Sequence, residues 1–321
     1  MQMNARRVLK LITGGAAVGV AAMSIAASSA SAAEVSTQEA VSENWSGYVA
    51  GGNSFSSVSG SWVQPAAKCT SAQSYSAFWV GLGGASGAEA LEQTGTQADC
   101  TSDGQSDYYA WYELVPSAPV RMGLAIRPGD HISAKVNVSG TNVTIGLSDQ
   151  TTGASVSKTL QMSNPDTSSA EWIAEAPSSC TQDGNCQPLP LANFGTVTFT
   201  NSSATADGHT GSISDPDWNA QAVQLSGDGG STGYVPTEIA YQGSASAGAQ
   251  PSSLSSDGTS FAVSWQSADS QSSSTGSSGY PGDGGGYGYP GDGGGYGYPG
   301  DGGGYGGYGG GYRWGSGGYG Y

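Results

Sequence analysis

Histidine is almost missing from this chain: His131 and His209 are the only two in 321 residues. Gly-x-Ser-x-Gly occurs once, at residues 229–233, in a glycine-rich stretch without the strand-then-helix pattern of a nucleophile elbow, and no His-Glu-x-x-His helix occurs in the sequence. Neither histidine is marked as the partner of a serine, so a Ser-His-Asp site is not indicated. An Asp-Thr-Gly or Asp-Ser-Gly pair is absent too. Cysteine is also scarce. Cys69, Cys100, Cys180 and Cys186 form an even set, and two disulfides are the expectation for an exported chain. Cys180 and Cys186 enclose a short polar loop and are paired on that ground, leaving Cys69 with Cys100; the other two connectivities stay open. Oxidised cysteines supply no thiol nucleophile. Asp215-Pro216-Asp217 is too small a carboxylate set to carry a calcium site alone. No metal and no cofactor is therefore expected.

Positive charge is the next shortage, with 9 Lys and Arg against 25 Asp and Glu, a net charge of -16. Three of those bases, Arg6, Arg7 and Lys10, precede an apolar run from Leu11 to Ala27 and the small residues Ala30-Ser31-Ala32. That order reads as a signal peptide over residues 1–33, and its removal takes the net charge from -16 to -19. Export and an extracellular location are expected, with no membrane association after cleavage. An acidic surface repels nucleic acid, which excludes that partner class. It also suits low pH, where the carboxylates neutralise and few cations remain to repel one another. A salt-tolerant protein would show the same balance.

Sustained helical periodicity is lacking as well. From residue 44 to 266 the chain shows short alternating runs separated by Gly, Ser, Asn and Asp, as in Thr196-Val197-Thr198-Phe199-Thr200 and Ser260-Phe261-Ala262-Val263-Ser264-Trp265. Lys135-Val136-Asn137-Val138 and Val143-Thr144-Ile145 flank Ser139-Gly140-Thr141-Asn142 and predict a hairpin. This pattern predicts one all-β domain of two antiparallel sheets packed face to face, expected as a monomer. Residues 34–43 form a short lead-in. Residues 267–321 are a Ser/Gly/Tyr-rich tail whose nine-residue repeat starts at Tyr280, Tyr289 and Tyr298. Glycine at that density predicts disorder, and the regular tyrosines suit contact with cell wall or polysaccharide.

Elimination leaves carboxylates and amides to do chemistry. They concentrate in Trp79-Val80-Gly81, Glu92-Gln93-Thr94-Gly95, Tyr109-Ala110-Trp111-Tyr112-Glu113 and Glu171-Trp172-Ile173-Ala174-Glu175. On strands, Glu171, Ile173 and Glu175 share one face, Tyr109, Trp111 and Glu113 share another, and Gln93 opposes Glu92. Glu171 and Glu175 are about 13 Å apart along a strand, too far to share one proton transfer. A wet cleft paved with tryptophan and glutamate is the resulting picture.

These blocks, together with Asn44-Trp45-Ser46-Gly47-Tyr48 and Phe194-Gly195-Thr196-Val197-Thr198-Phe199-Thr200, resemble the glutamic peptidases, or eqolisins, in order and spacing from Asn44 to about Trp265. The resemblance implies a sandwich of two seven-stranded sheets and a secreted acid endopeptidase that hydrolyses polypeptides without metal. It further implies Gln93 and Glu175 as the catalytic pair, with Trp45, Trp79, Gly84, Trp111 and Glu113 lining the substrate cleft. Glu175 would activate water and protonate the leaving amine, and Gln93 would stabilise the oxyanion. A modest rise of the Glu175 pKa by burial would place it near an acid working pH. Two positions depart from the family pattern: Gly83 stands where an acidic residue is usual, and Leu114 where an aromatic is usual. The stretch from Ala33 to Asn44 is too short for a long inhibitory propeptide. A non-catalytic carbohydrate-binding or cell-surface adhesive sandwich is the alternative reading of the same aromatic content.

Overall fold

Alternation of apolar and polar side chains, broken by glycine and Asx turns, makes strands wherever one face can be buried. The computed structural model describes residues 39–85, 90–180, 186–226 and 247–268, and every regular element among them is a strand. The expected signal segment, residues 34–38 and the tail from residue 269 lie outside the described residues. In chain order the strands begin with β1 (Ala40–Ser42), β2 (Trp45–Gly51), β3 (Phe55–Val63), β4 (Ser74–Gly83), β5 (Leu91–Cys100) and β6 (Ser106–Val115). They continue with β7 (Val120–Ala125), β8 (His131–Ser139), β9 (Asn142–Asp149), β10 (Ala154–Gln161), β11 (Ser169–Glu175) and β12 (Ser178–Cys180). The last six are β13 (Cys186–Pro188), β14 (Thr196–Ala206), β15 (His209–Gly211), β16 (Asn219–Leu225), β17 (Gly248–Pro251) and β18 (Phe261–Gln266).

Fourteen strands form one hydrogen-bonded path, β10-β9-β8-β3-β14-β18-β17-β16-β2-β11-β4-β5-β6-β7. Every neighbouring pair on it is antiparallel; β1 adds to β16 in parallel, and β15 turns back on β14. The all-β antiparallel expectation holds, but the two sheets expected to be separate are not. The pair Leu225↔Ala249 connects β16 to β17 and makes the path continuous. The predicted hairpin is β8 and β9, turning at Gly140 with φ 59°. Both predicted disulfides are present, Cys69–Cys100 and Cys180–Cys186, the second closing the β12–β13 ribbon.

The sheet folds back on itself, so that β3, β8 and β9 pack against β4, β5 and β11 over one core. Phe55, Val58, Trp62, Ile132, Val136 and Ile145 meet Phe78, Val80, Leu82, Ala98 and Trp172. Indole N–H groups buried there need acceptors. Trp62 Nε1 donates across the core to Thr96 Oγ1 at 3.0 Å, and Trp172 Nε1 to the Ser59 carbonyl at 2.8 Å. These bonds cross from one side of the core to the other and fix how the two sides lie against each other.

Candidate active site

Strands β2, β11, β4 and β5 are buried on both faces along most of their length and β6 is partly so, and the face turned from the main core carries the predicted site residues. Register places them in rows. Trp45 pairs with Glu175, which pairs with Ala77, then Gln97, then Tyr109. The next row runs Gly47, Ile173, Trp79, Gly95 and Trp111. The third runs Val49, Glu171, Gly81, Gln93 and Glu113. Residues from five segments thus share one face because each sits on the same parity of its strand.

The face is closed rather than wet. Trp45, Trp79 and Trp111 are 0% exposed and build a second apolar cluster with Val49, Ala77, Leu91, Val115, Ile173 and Val223. Trp45 and Trp79 meet edge to face with centroids 5.1 Å apart. Indole packing against these aliphatic side chains removes the space that an open cleft would hold. Gly81 admits the Trp79 ring, since a Cβ there would stand 2.9 Å from Trp79 Cζ3, and Gly95 admits the β4 backbone, since a Cβ there would overlap the Phe78 carbonyl oxygen and stand 2.6 Å from Trp79 Cβ.

Glu175 lies in this apolar surround with neutral donors directed at it. Trp79 Nε1 donates to Oε2 at 2.7 Å and Asn44 Nδ2 to Oε1 at 3.1 Å. Burial dominates and pushes the carboxyl up to about 8, while Trp79, Trp45 and Asn44 act in the opposite direction by favouring the ionised form. The modest rise expected from the sequence is therefore a large one, because the closed face withholds water. Gln93, also buried, donates Nε2–H to Glu113 Oε2 at 2.8 Å; its Oε1 has no hydrogen-bond partner among the described residues. Gln93 and Glu175 are not hydrogen-bonded to each other. Trp79, on the row between theirs, separates them.

Gly84 stands apart from the other predicted cleft residues. It follows β4, and its N–H donates to Asp166 Oδ2 at 3.0 Å. At Gly83, where the family pattern has an acid, φ is +88°, and a Cβ would stand 2.6 Å from Asp166 Cβ. The Asp166 side chain fills that space, so the acidic group beside Gly83 comes from the segment before β11. Asp166 N–H also donates to Glu92 Oε1 at 3.1 Å. Glu92 is pushed up to about 8 by burial first, and the Asp166 charge adds to the rise. Burial also raises Glu171 well above the usual carboxylate range.

Sequence reasoning missed Asn44, Gln97, Asp99 and Asp166 as site-face or site-edge groups. Asn44 did stand at the head of a recognised block, but only the β2–β11 register shows that it reaches Glu175. Among the described residues, one cluster has metal-ligand composition: His209, Asp215 and Asp217, with ligand atoms within 4.8 Å of one another. His209 Nε2–H donates to Asp215 Oδ2 at 2.9 Å, and the imidazole is exposed. An open depression of about 640 Å³ beside Ser54, Asn164 and Asp207 contains no member of the site.

Residues 43–246 match the sequence profile of the Peptidase A4 family. Aspergillopepsin-2 of Aspergillus niger is 31% identical over 233 residues, 64% of this chain and 77% of that protein. A structure of scytalido-glutamic peptidase with a transition state analog inhibitor aligns with a TM-score of 0.55 at 30% identity, over 70% of this chain and 98% of that one. SCP-B, a member of the eqolisin family in complex with the tripeptide Ala-Ile-His, aligns with a TM-score of 0.52, also at 30% identity and over 70% and 98% of the two chains. The profile match, these relatives and the shared blocks of tryptophan, glutamine and glutamate lead to one conclusion: the chain belongs to the Peptidase A4 family, the eqolisins, which are glutamic peptidases.

Proposed function

We propose that this chain is a secreted endopeptidase that cuts polypeptides at acid pH with Gln93 and Glu175 as its dyad. The observation that supports it best is Glu175 itself: a buried carboxyl beside the Trp45 and Trp79 indoles, with only neutral donors among the causes that favour its ionised form. The scissile peptide would lie over the Trp79 row, between the two side chains. Ionised Glu175 takes a proton from water as the water oxygen attacks the carbonyl carbon. A Gln93 N–H donates to the resulting oxyanion. Glu175 then returns the proton to the amide nitrogen, and the C–N bond breaks. Glu113 restrains the Gln93 amide through the 2.8 Å bond, and Asn44 and Trp79 restrain the Glu175 carboxylate.

The base step needs ionised Glu175, while the closed face keeps it neutral up to about pH 8. Burial is the largest cause of that rise. Water and substrate entering the face therefore lower the pKa toward the ordinary carboxylate range, and the donors from Trp79, Trp45 and Asn44 act in the same direction. The fourteen-strand path reads as two seven-stranded halves joined at β16 and β17, with the dyad on the half from β16 to β7. Residues 1–33 direct the chain out of the cell, in keeping with its two disulfides.

Digestion of an acid-unfolded protein over a pH series, by the wild type and by Glu175→Gln, tests this reading. Cleavage at acid pH that disappears in a folded Glu175→Gln variant is expected. Cleavage that persists in the variant rejects the dyad. No cleavage by the folded wild type rejects the peptidase reading in favour of a binding role, which retention on insoluble polysaccharide would then examine.

A further inference from the structure

We infer that Ser42, on the N-terminal strand β1, is a positioning residue for the dyad: its hydroxyl holds the Asn44 amide with the N–H side turned to Glu175. The inference rests on the peptidase reading and adds to it a residue that acts through another.

A side-chain amide can present either end to a carboxyl. With Nδ2 toward Glu175 the amide favours the ionised form. With Oδ1 toward Glu175 it favours the neutral form, whose O–H then donates. Ser42 selects between the two. Its Oγ accepts the Trp45 N–H at 3.0 Å and the Asn44 N–H at 3.3 Å. Both acceptor positions of the hydroxyl are thereby used, and its proton is left to donate to Asn44 Oδ1 at 3.2 Å. With Oδ1 held on that side, Nδ2 stands 3.1 Å from Glu175 Oε1. Asn44 is 3% exposed, so little water reaches the amide to replace the Ser42 donor.

Ser42 is itself anchored. Strand β1 lies parallel to β16, with Ala40 opposite Val223 and Ser42 opposite Leu225. Ser226 N–H donates to the Ser42 carbonyl at 3.0 Å, and Ala40 packs against the apolar cluster that contains Trp45 and Trp79. From the other side, Ala176 N–H donates to the Asn44 carbonyl at 2.9 Å. That bond ties the turn before β2 to the end of β11, one residue past Glu175. The hydroxyl also holds the backbone of Trp45, whose side chain is another of the groups that favour ionised Glu175.

Among the described residues no charged group adds to the ionisation balance of Glu175. Its causes are burial and the donors Trp79 from β4, Trp45 from β2 and Asn44 from the turn before β2. Glu171 on β11, Asp99 on β5, Tyr109 and Glu113 on β6 and the exposed Glu43 are the titratable groups of this face and its rim, and none is among those causes. A turned amide is therefore read directly as a rise in the Glu175 pKa. Loss of one neutral hydrogen bond that selects the ionised form corresponds to about half to one pH unit.

A carbon-13 NMR titration of the glutamate carboxyls in the full-length protein tests the inference, with the Glu175 signal identified by its loss in Glu175→Gln. Ser42→Ala should raise the Glu175 pKa by about half to one unit, and Ser42→Thr, which keeps the hydroxyl, should leave it at the wild-type value. An unmoved or lowered Glu175 pKa in folded Ser42→Ala overturns the inference. A rise shared by Ser42→Thr overturns it too, because packing rather than the hydroxyl would then hold the amide. Should Ser42→Ala fail to fold, Ser42→Cys decides: its thiol has a similar shape but is a weaker donor, so an unmoved pKa there overturns the role of the hydroxyl. In turnover, the acid limb of kcat should move up in Ser42→Ala by the same amount while KM changes less than about twofold. Cleavage by the wild type separates the two ideas. A shifted Glu175 without cleavage by the wild type removes only the peptidase reading, and cleavage with an unshifted Glu175 removes only the role of Ser42.

Discussion

Replacing Glu92 by glutamine should stabilise the protein near neutral pH and leave it almost unchanged in acid. Glu92 is 0% exposed, and its Oε1 accepts the Asp166 N–H at 3.1 Å. Its pKa is raised from 4.5 to about 8, mainly by burial. In the unfolded chain the group ionises above about 4.5. Folding at pH 7 must therefore return a proton to it. A carboxyl raised in this direction contributes its full stability below about 4.5 and loses it as pH rises toward about 8. At about 1.4 kcal/mol per pH unit, the loss at pH 7 is on the order of 3 kcal/mol. Glutamine keeps the acceptor for Asp166 and has no proton to recover. Urea unfolding of wild type and Glu92→Gln should show a gain of about 3 kcal/mol at pH 7 and a change of less than about 1 kcal/mol at pH 4. An equal effect at both pH values, or destabilisation at pH 7, would show that Glu92 takes up no proton on folding. Asp99, Glu171 and Glu175 are raised in the same direction, so the wild type itself should be most stable in acid.

Trp79→Phe keeps an aromatic ring against Gly81 but removes the donor 2.7 Å from Glu175 Oε2. A hydrogen bond to a charged group is worth about 1.5–3 kcal/mol, so the acid limb of kcat/KM should move up by about one to two pH units. A pH–rate profile with an unmoved limb would show that the indole does not support the ionised carboxylate. Gly95→Ala adds a methyl group that overlaps the Phe78 carbonyl oxygen, inside the β4–β5 ladder. A loss of at least about 3 kcal/mol is expected, and a thermal melt unchanged from wild type would contradict it.

Much of the site was legible because strand periodicity assigns faces residue by residue. Trp111 and Glu113 share a face, as do Glu171 and Glu175, and Gln93 opposes Glu92 once their blocks are taken as strands, and β5, β6 and β11 are those strands. Register across strands was not legible. Asn44 reaches Glu175 across 131 residues of sequence, and Asp166 meets Gly84 across 82. No local pattern encodes such pairs, since they depend on which strand lies beside which. The closed face was missed for a related reason: a run of tryptophans looks the same in sequence whether the indoles line an opening or fill it. The continuous sheet turned on the pairing of Leu225 with Ala249, which local periodicity does not predict.

Each strand beneath the site presents core residues and site residues in strict alternation. On β5, Thr94, Thr96 and Ala98 face one way and Gln93, Gly95 and Gln97 the other; Trp62 reaches Thr96 from below at 3.0 Å. Such a strand separates two kinds of inheritance. Changes at Gln93 or Gln97 meet the site face first, while Gly95, on the same parity, is fixed by the Phe78 carbonyl oxygen that a Cβ there would overlap. Changes at the even-numbered positions alter the packing first. A new specificity in this scaffold is therefore best sought at positions such as Gln97 and Asp99, where new side chains can be tried on a floor that is already built.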